Sequence, residues 1–197
     1  MKTYAFKQLL TLPNLLTSFR FVSAPILLGL AWHGYEQGFL LLLMITFLTD
    51  VLDGMAARML DQESELGALL DTWGDLLIYT TIALSSWQLW PELMQRELLF
   101  ASMVIISYLL PSIVGIAKFH AFPSYHTWLV KVAVACMGCS FFLLVLFDIS
   151  WAFRLAAVLC VLAAGEEIAI SCILPDLRSN VKSFWHVKRQ LAYTSKN

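Results

Sequence analysis

Long apolar runs broken by short polar stretches set the plan of this chain. Six stretches are predominantly apolar and close to a bilayer's thickness in length: about 20–37, 38–57, 67–90, 97–117, 127–147 and 152–174. A helix rises about 1.5 Å per residue, so roughly 20 residues cross a hydrocarbon core of about 30 Å. The pattern predicts an all-α, polytopic membrane bundle of six transmembrane helices. No linker or low-complexity segment divides it and no repeat recurs at a fixed period, so residues 1–197 are read as a single membrane domain. A short interfacial segment (1–19) precedes the runs, and a basic tail (176–197) follows them.

The departures from apolarity carry the chemistry. The stretch FLTDVLDGMAARMLDQESELGALLDTWGDLLIY, residues 47–79, puts Asp50, Asp53, Asp71 and Asp75 inside predicted spans. Helical positions three and four apart share a face. Asp50 and Asp53 therefore form one pair on the second helix, and Asp71 and Asp75 another on the third. The polar middle, Asp61 to Glu65, is the turn between them. Two helices joined by a short loop pack antiparallel, which brings one pair opposite the other.

Cost narrows the reading. Each Asp near the centre of a spanning helix costs roughly 2.5–3.5 kcal/mol, less toward the interface. Four together approach the net stability of a whole domain. Hard divalent cations are the natural compensation, because carboxylate oxygens suit Mg²⁺, Mn²⁺ or Ca²⁺ rather than zinc. Four carboxylates from two helices suit two metals a few ångströms apart, an arrangement that recurs in phosphoryl transfer. Gly54 and Ala57 leave one helix face nearly bare, Gly67 clears space on the other, and Arg58 offers a guanidinium suited to phosphate. Helix packing and interfacial anchoring would explain these four residues singly; their combination favours a phosphate site. A divalent-cation transporter using the acids as a relay is the competing reading, but it would spread acids over several spans.

Composition agrees with a bilayer protein. Hydrophobic residues make up 59% of the chain, against roughly 45–50% in soluble domains, and the mean hydropathy is +0.74. Lys2, Lys7, Arg58, Lys118, Lys131 and the tail residues Arg178, Lys182, Lys188, Arg189 and Lys196 fall at the termini and even-numbered loops. The odd loops offer Arg96 and, nearby, Arg154. The positive-inside rule then puts both termini and the even loops in the cytoplasm. The N-terminal run lacks a small-residue cleavage site and is read as uncleaved. Cys136, Cys139, Cys160 and Cys172 all fall in spans, and neither a disulfide nor a zinc site is expected. Nothing in the basic residues points to nucleic acid. The tail, with aromatics among its cations, fits an interfacial segment on anionic lipid.

Written out, the acidic stretch reads D50-x2-D53-G54-x2-A57-R58-x8-G67-x3-D71-x3-D75. It resembles the signature of the CDP-alcohol phosphatidyltransferase family at every fixed position and gap. Upstream, LPNLLTSFRFVSAP resembles the P-N-x-L-T-x-x-R entry of bacterial phosphatidylglycerophosphate synthases and relatives, through Pro13, Asn14, Thr17 and Arg20. Asn14 and Thr17 share a face with Arg20. A capped interfacial helix with a snorkelling Arg20 is the plainer explanation of that segment.

The resemblance implies a reaction and a set of roles. A CDP-linked lipid such as CDP-diacylglycerol gives its phosphatidyl group to an alcohol, and CMP leaves. Asp50, Asp53, Asp71 and Asp75 would hold Mg²⁺ or Mn²⁺, two ions in all, and Asp75 would also act as general base. Gly54, Ala57, Arg58 and Gly67, with Asn14 and Thr17, would line the CDP site. A homodimer in the bacterial cytoplasmic membrane, its site open to the cytoplasm, is usual for such proteins.

The acceptor is less legible. The N-terminal likeness favours glycerol 3-phosphate, yet Leu76 stands where several phosphatidylglycerophosphate synthases have lysine. Phosphatidylglycerol, serine, inositol phosphate and choline remain alternatives. An anionic acceptor would want cations, and Lys118, His126 and Lys131 cluster between the fourth and fifth spans. Glu166 and Glu167 are acids in the last span, where such residues are functional candidates by default. Glu166 is the candidate for the acceptor pocket.

Overall fold

A computed structural model describes residues 12–60, 65–120, 125, 127–174, 181 and 183–185; at 12, 13, 57, 58, 65, 66 and 68 it describes the backbone alone. Every regular element in it is helical: α1 (Leu12–Trp32), α2 (Glu36–Met59), α3 (Glu65–Leu89), α4 (Pro91–Arg96), α5 (Leu98–Phe119), α6 (Trp128–Phe147) and α7 (Ser150–Ile173). Five of these are long and apolar enough to cross a membrane: α1, α2, α5, α6 and α7. Helix α3 has the length, 25 residues, but not the apolarity, because it carries Asp71, Asp75 and a series of Thr and Ser residues. The chain is an integral membrane protein whose exposed surface is rich in large apolar side chains, from Leu48 and Val51 to Leu155 and Leu162.

The first apolar run was expected over 20–37. The helix instead spans 12–32, because the chain turns at Gly34 (φ +71°). Tyr35 N–H donates to Leu30 O at 2.9 Å and Gly34 N–H to Ala31 O at 3.0 Å. That pair of bonds satisfies the last carbonyls of α1 and needs the left-handed conformation that glycine adopts without strain. Asn14, Thr17 and Arg20 consequently lie on the same continuous helix as the apolar residues after them. Of the polar turn expected at 61–65, residues 61–64 lie outside the described residues and Glu65 begins α3; 1–11 and most of the tail also lie outside them.

The chain divides into two compact units, residues 1–95 and 96–197. In the first, α1 packs against both α2 and α3. Its buried stripe runs Asn14, Thr17, Arg20, Ser23, Ala24, Leu27, Ala31, the i, i+3, i+4 spacing of a helix face turned inward. The two acid-bearing helices make no comparable contact with each other among the described residues. Antiparallel packing of α2 directly on α3 was expected from their short loop; α1 is the helix that joins them.

The second unit is arranged around its last helix, α7, which packs against both α5 and α6. Ala156, Ala157, Ala163 and Ala164 are buried there, and small residues let membrane helices approach closely. At one end, Glu97 is fully buried and accepts two hydrogen bonds from Arg154, both 2.9 Å. Arg96 adds a third at 3.3 Å and is ion-paired with Asp148 in the α6–α7 turn. Hydrogen bonds from Arg154 hold the Glu97 carboxyl below the ordinary glutamate range, and one from Arg96 does the same for Asp148.

Candidate metal centre and active site

The four aspartates of the sequence pattern meet a single guanidinium. Arg20 is 1% exposed and lies within salt-bridge distance of all of them. Its Nη2 is 2.6 Å from Asp50 Oδ1, 2.6 Å from Asp53 Oδ2 and 2.7 Å from Asp71 Oδ1. Its Nη1 is 2.5 Å from Asp75 Oδ1. Arg20 does not snorkel to an interface; its helix carries it into the acids. Spans rarely hold an ionised group unless it faces inward to a partner, and each charge here has one.

The acids are not equivalent. Carboxylate oxygens of Asp50, Asp53 and Asp71 all lie within 4.8 Å of one another and can hold a metal ion. Asp75 stands apart from that trio, on the other nitrogen of the guanidinium. Asp53 is the most buried of the four, with a side chain 8% exposed against 30–36% for the others. Thr17 donates its hydroxyl to Asp53 Oδ2 at 2.8 Å, which fixes that carboxylate in one orientation. The donor set fits a hard divalent cation: three anionic oxygens from two helices converge on one point, with no nitrogen or sulfur ligand among them.

Gly74, between Asp71 and Asp75, makes room for the arginine. A Cβ at that position would lie 3.4 Å from both Cδ and Nη1 of Arg20. Gly54 and Gly67 belong to the same unit; the side chains of Ala57 and Arg58 lie outside the described residues.

The acceptor candidates fall in the second unit and are engaged locally. Lys118 Nζ donates to the carbonyls of Ser171 (2.9 Å) and Cys172 (3.0 Å) near the end of α7. Lys131 Nζ lies 5.5 Å from the centroid of the Trp128 ring. Glu166 accepts from Thr127 Oγ1 at 2.8 Å and from Phe184 N–H at 3.1 Å. It thereby links the N-cap of α6 to a segment beyond α7. Tyr125, Ile170, Leu174 and Val181 form a small apolar core beside this link. His126 lies outside the described residues.

Comparison with known proteins fits this geometry. The model of the CDP-alcohol phosphatidyltransferase family matches residues 10–163. The chain belongs to that family. It is therefore an enzyme of the class that transfers a phosphatidyl group from a CDP-linked lipid. Among its relatives is "Cardiolipin synthase (CMP-forming)" of Streptomyces coelicolor, 34% identical over 164 residues, covering 77% of this chain and 73% of that protein. Another is the "Cardiolipin synthase (CMP-forming) / mitochondrial hydrolase fusion protein" of Schizosaccharomyces pombe, 32% identical over 125 residues, covering 62% of this chain and 20% of the fusion. No solved structure gives a significant match.

The sequence pattern identified the four acids and the helices that carry them. It named Arg20 as part of a likeness but gave it no place among the site residues. The available signal was a basic residue on the Asn14–Thr17 face of an otherwise apolar helix, which needs an acid partner.

Proposed function

We propose that the enzyme transfers the phosphatidyl group of CDP-diacylglycerol to phosphatidylglycerol, forming cardiolipin and releasing CMP. The observation that carries the phosphatidyl-transfer part is the convergence of Asp50, Asp53 and Asp71 on one point, with Asp75 beside it. The acceptor rests on the two relatives named cardiolipin synthase (CMP-forming). The engaged lysines support it as well. Glycerol 3-phosphate is a small dianion that depends on free cations, whereas Lys118 is bonded to carbonyls and Lys131 is stacked on Trp128. A phospholipid acceptor is already held by the bilayer and needs fewer such contacts.

The roles follow from position. Asp50, Asp53 and Asp71 would hold divalent cations, Mg²⁺ or Mn²⁺, two ions with the help of Asp75. Such cations would supply charge neutralisation for the diphosphate and for CMP as it departs. Asp75 takes the proton of the acceptor hydroxyl as its oxygen forms a bond to the lipid-side phosphorus. The P–O bond to CMP breaks with its electron pair on the nucleotide phosphate. Gly54, Gly67 and Asn14 line the CDP site, to which the sequence signature also assigns Ala57 and Arg58, while Thr17 orients Asp53. The working form is a homodimer with six spans, both termini and the acids toward the cytoplasm.

The test is CMP release by purified protein in Mn²⁺ or Mg²⁺ with CDP-diacylglycerol and a panel of acceptors. Turnover with phosphatidylglycerol and not with glycerol 3-phosphate is the expected result. The reverse preference would favour glycerol 3-phosphate, the reading that the Pro13, Asn14, Thr17, Arg20 likeness supports. Metal flux into liposomes without CMP release would instead favour a transporter.

A further inference from the structure

We infer that Arg20 is the resident counter-cation of the aspartate cluster: it holds the four carboxylates together until a divalent cation takes the place of its Nη2 atom. This rests on the metal-dependent reading above and deepens it. A guanidinium Nη carries two protons. Nη2 of Arg20 nevertheless faces three carboxylate oxygens at 2.6–2.7 Å. One of those contacts has no proton of its own, so the oxygens are arranged around a point of charge rather than along N–H directions. At the same time the Nε of Arg20 is buried with no hydrogen-bond partner among the described residues. The guanidinium leaves one donor unused and overloads another, which is the opposite of a site built to satisfy an arginine.

The same three oxygens suit a smaller, more highly charged centre. Magnesium takes oxygens at about 2.0–2.1 Å, roughly half an ångström shorter than the contacts to Nη2, and the same three carboxylates would hold it. One guanidinium faces four carboxyl groups here, more acids than a single cation can neutralise. Guanidinium and metal cannot share the focus, and binding of one displaces the other. Nη1 and Cδ of Arg20 pack against Gly74, where a Cβ would stand 3.4 Å from both, so the guanidinium leaves this slot when it leaves the carboxylates. Arg20 is therefore a positioning residue for the acids and a competitor for their cation.

The experiment measures Mn²⁺ binding to purified protein in detergent, with no lipid substrate, from the electron paramagnetic resonance signal of free Mn²⁺. Arg20→Gln should bind Mn²⁺ about tenfold or more tightly than the wild type. Mn²⁺ should also raise its unfolding temperature by more, since in chelator its acids lack a counter-charge. Arg20→Lys keeps the charge without the fork, and its affinity should fall between the two. If Arg20→Gln does not fold, Arg20→Lys alone must show the tighter binding. Equal or weaker Mn²⁺ affinity in the folded variant overturns the inference and leaves the metal reading standing. Absence of Mn²⁺ binding in wild type and variant alike removes the metal reading and the inference together.

Discussion

Thr17 and Asp53 share a buried hydrogen bond of 2.8 Å, and the oxygen that accepts it is the one that Arg20 meets at 2.6 Å. The hydroxyl therefore aims the most enclosed carboxylate of the cluster at the point where the others converge. A hydrogen bond to a charged group contributes roughly 1.5–3 kcal/mol, and each 1.4 kcal/mol is about a factor of ten. Thr17→Val, which keeps the shape and removes the donor, should weaken Mn²⁺ binding on the order of tenfold to a hundredfold. Thr17→Ser should restore most of it. A metal titration of both variants checks this, and an unchanged affinity in Thr17→Val would remove Thr17 from the site.

Asp75 and Asp53 should fail in different ways. Asp75→Asn loses the proton acceptor and keeps the carboxylate trio, so turnover should fall by about a thousandfold or more while Mn²⁺ binding at the trio persists and that of a second ion weakens. Asp53→Asn should lose metal binding and activity together. Parallel assays of CMP release and Mn²⁺ binding separate the two, and normal turnover by Asp75→Asn would exclude it as the base.

Gly74 sets how much room the guanidinium has. Gly74→Ala places a methyl at contact distance, 3.4 Å from Cδ and Nη1, and should be tolerated. Gly74→Leu must push the arginine out of the cluster. It should lower the unfolding temperature in chelator by several degrees, with partial recovery in Mn²⁺. Equal unfolding temperatures for the leucine and alanine variants would show that the slot is not needed.

The second unit should lose stability in acid through Glu97. Hydrogen bonds from Arg154 lower the folded pKa of its carboxyl. A depressed folded value means that the contribution is present above the unfolded value, about 4.3 for glutamate, and is lost as pH falls through the folded one. Unfolding temperature should therefore fall more steeply below about pH 4 in the wild type than in Glu97→Gln, whose side chain does not titrate. Parallel curves would contradict this.

Glu166 is predicted to act as a strap before it acts as an acceptor contact. Glu166→Ala removes the partner of both Thr127 and the Phe184 amide. Protease cleavage around residues 181–185 should become faster, with little change in cleavage elsewhere. Glu166→Gln, whose amide oxygen can still accept, should be cut at close to the wild-type rate.

Helix identity was legible from the sequence because a bilayer imposes a length and a polarity; five of the helices satisfy both, and α3 has the length without the apolarity. The end of α1 was misplaced because the run was carried on past His33, Glu36 and Gln37, the polar break between Trp32 and Phe39; the stop falls in that break, at the backbone of Gly34. The aspartates were legible because acids at helical spacing in hydrocarbon demand a reason. Their arrangement around α1 was not, since loop length records which helices are consecutive and not which one lies between them. Arg20 was hidden by the same gap: a terminal-looking arginine reads as an anchor until the acids that surround it are seen in three dimensions. Lys118 and Glu166 show the converse. As charges in or beside a span they invite a functional role, and the structure supplies each with local partners.

The central place of α1 has a consequence for biogenesis. During synthesis Arg20 emerges 33 residues before Asp53 and 55 before Asp75. A lone arginine in a nascent span is costly to leave in lipid, so the first helix has reason to linger at the insertion machinery until the acids arrive. The cluster would then serve twice, first as the closure that lets three helices leave together and only afterwards as a place for chemistry.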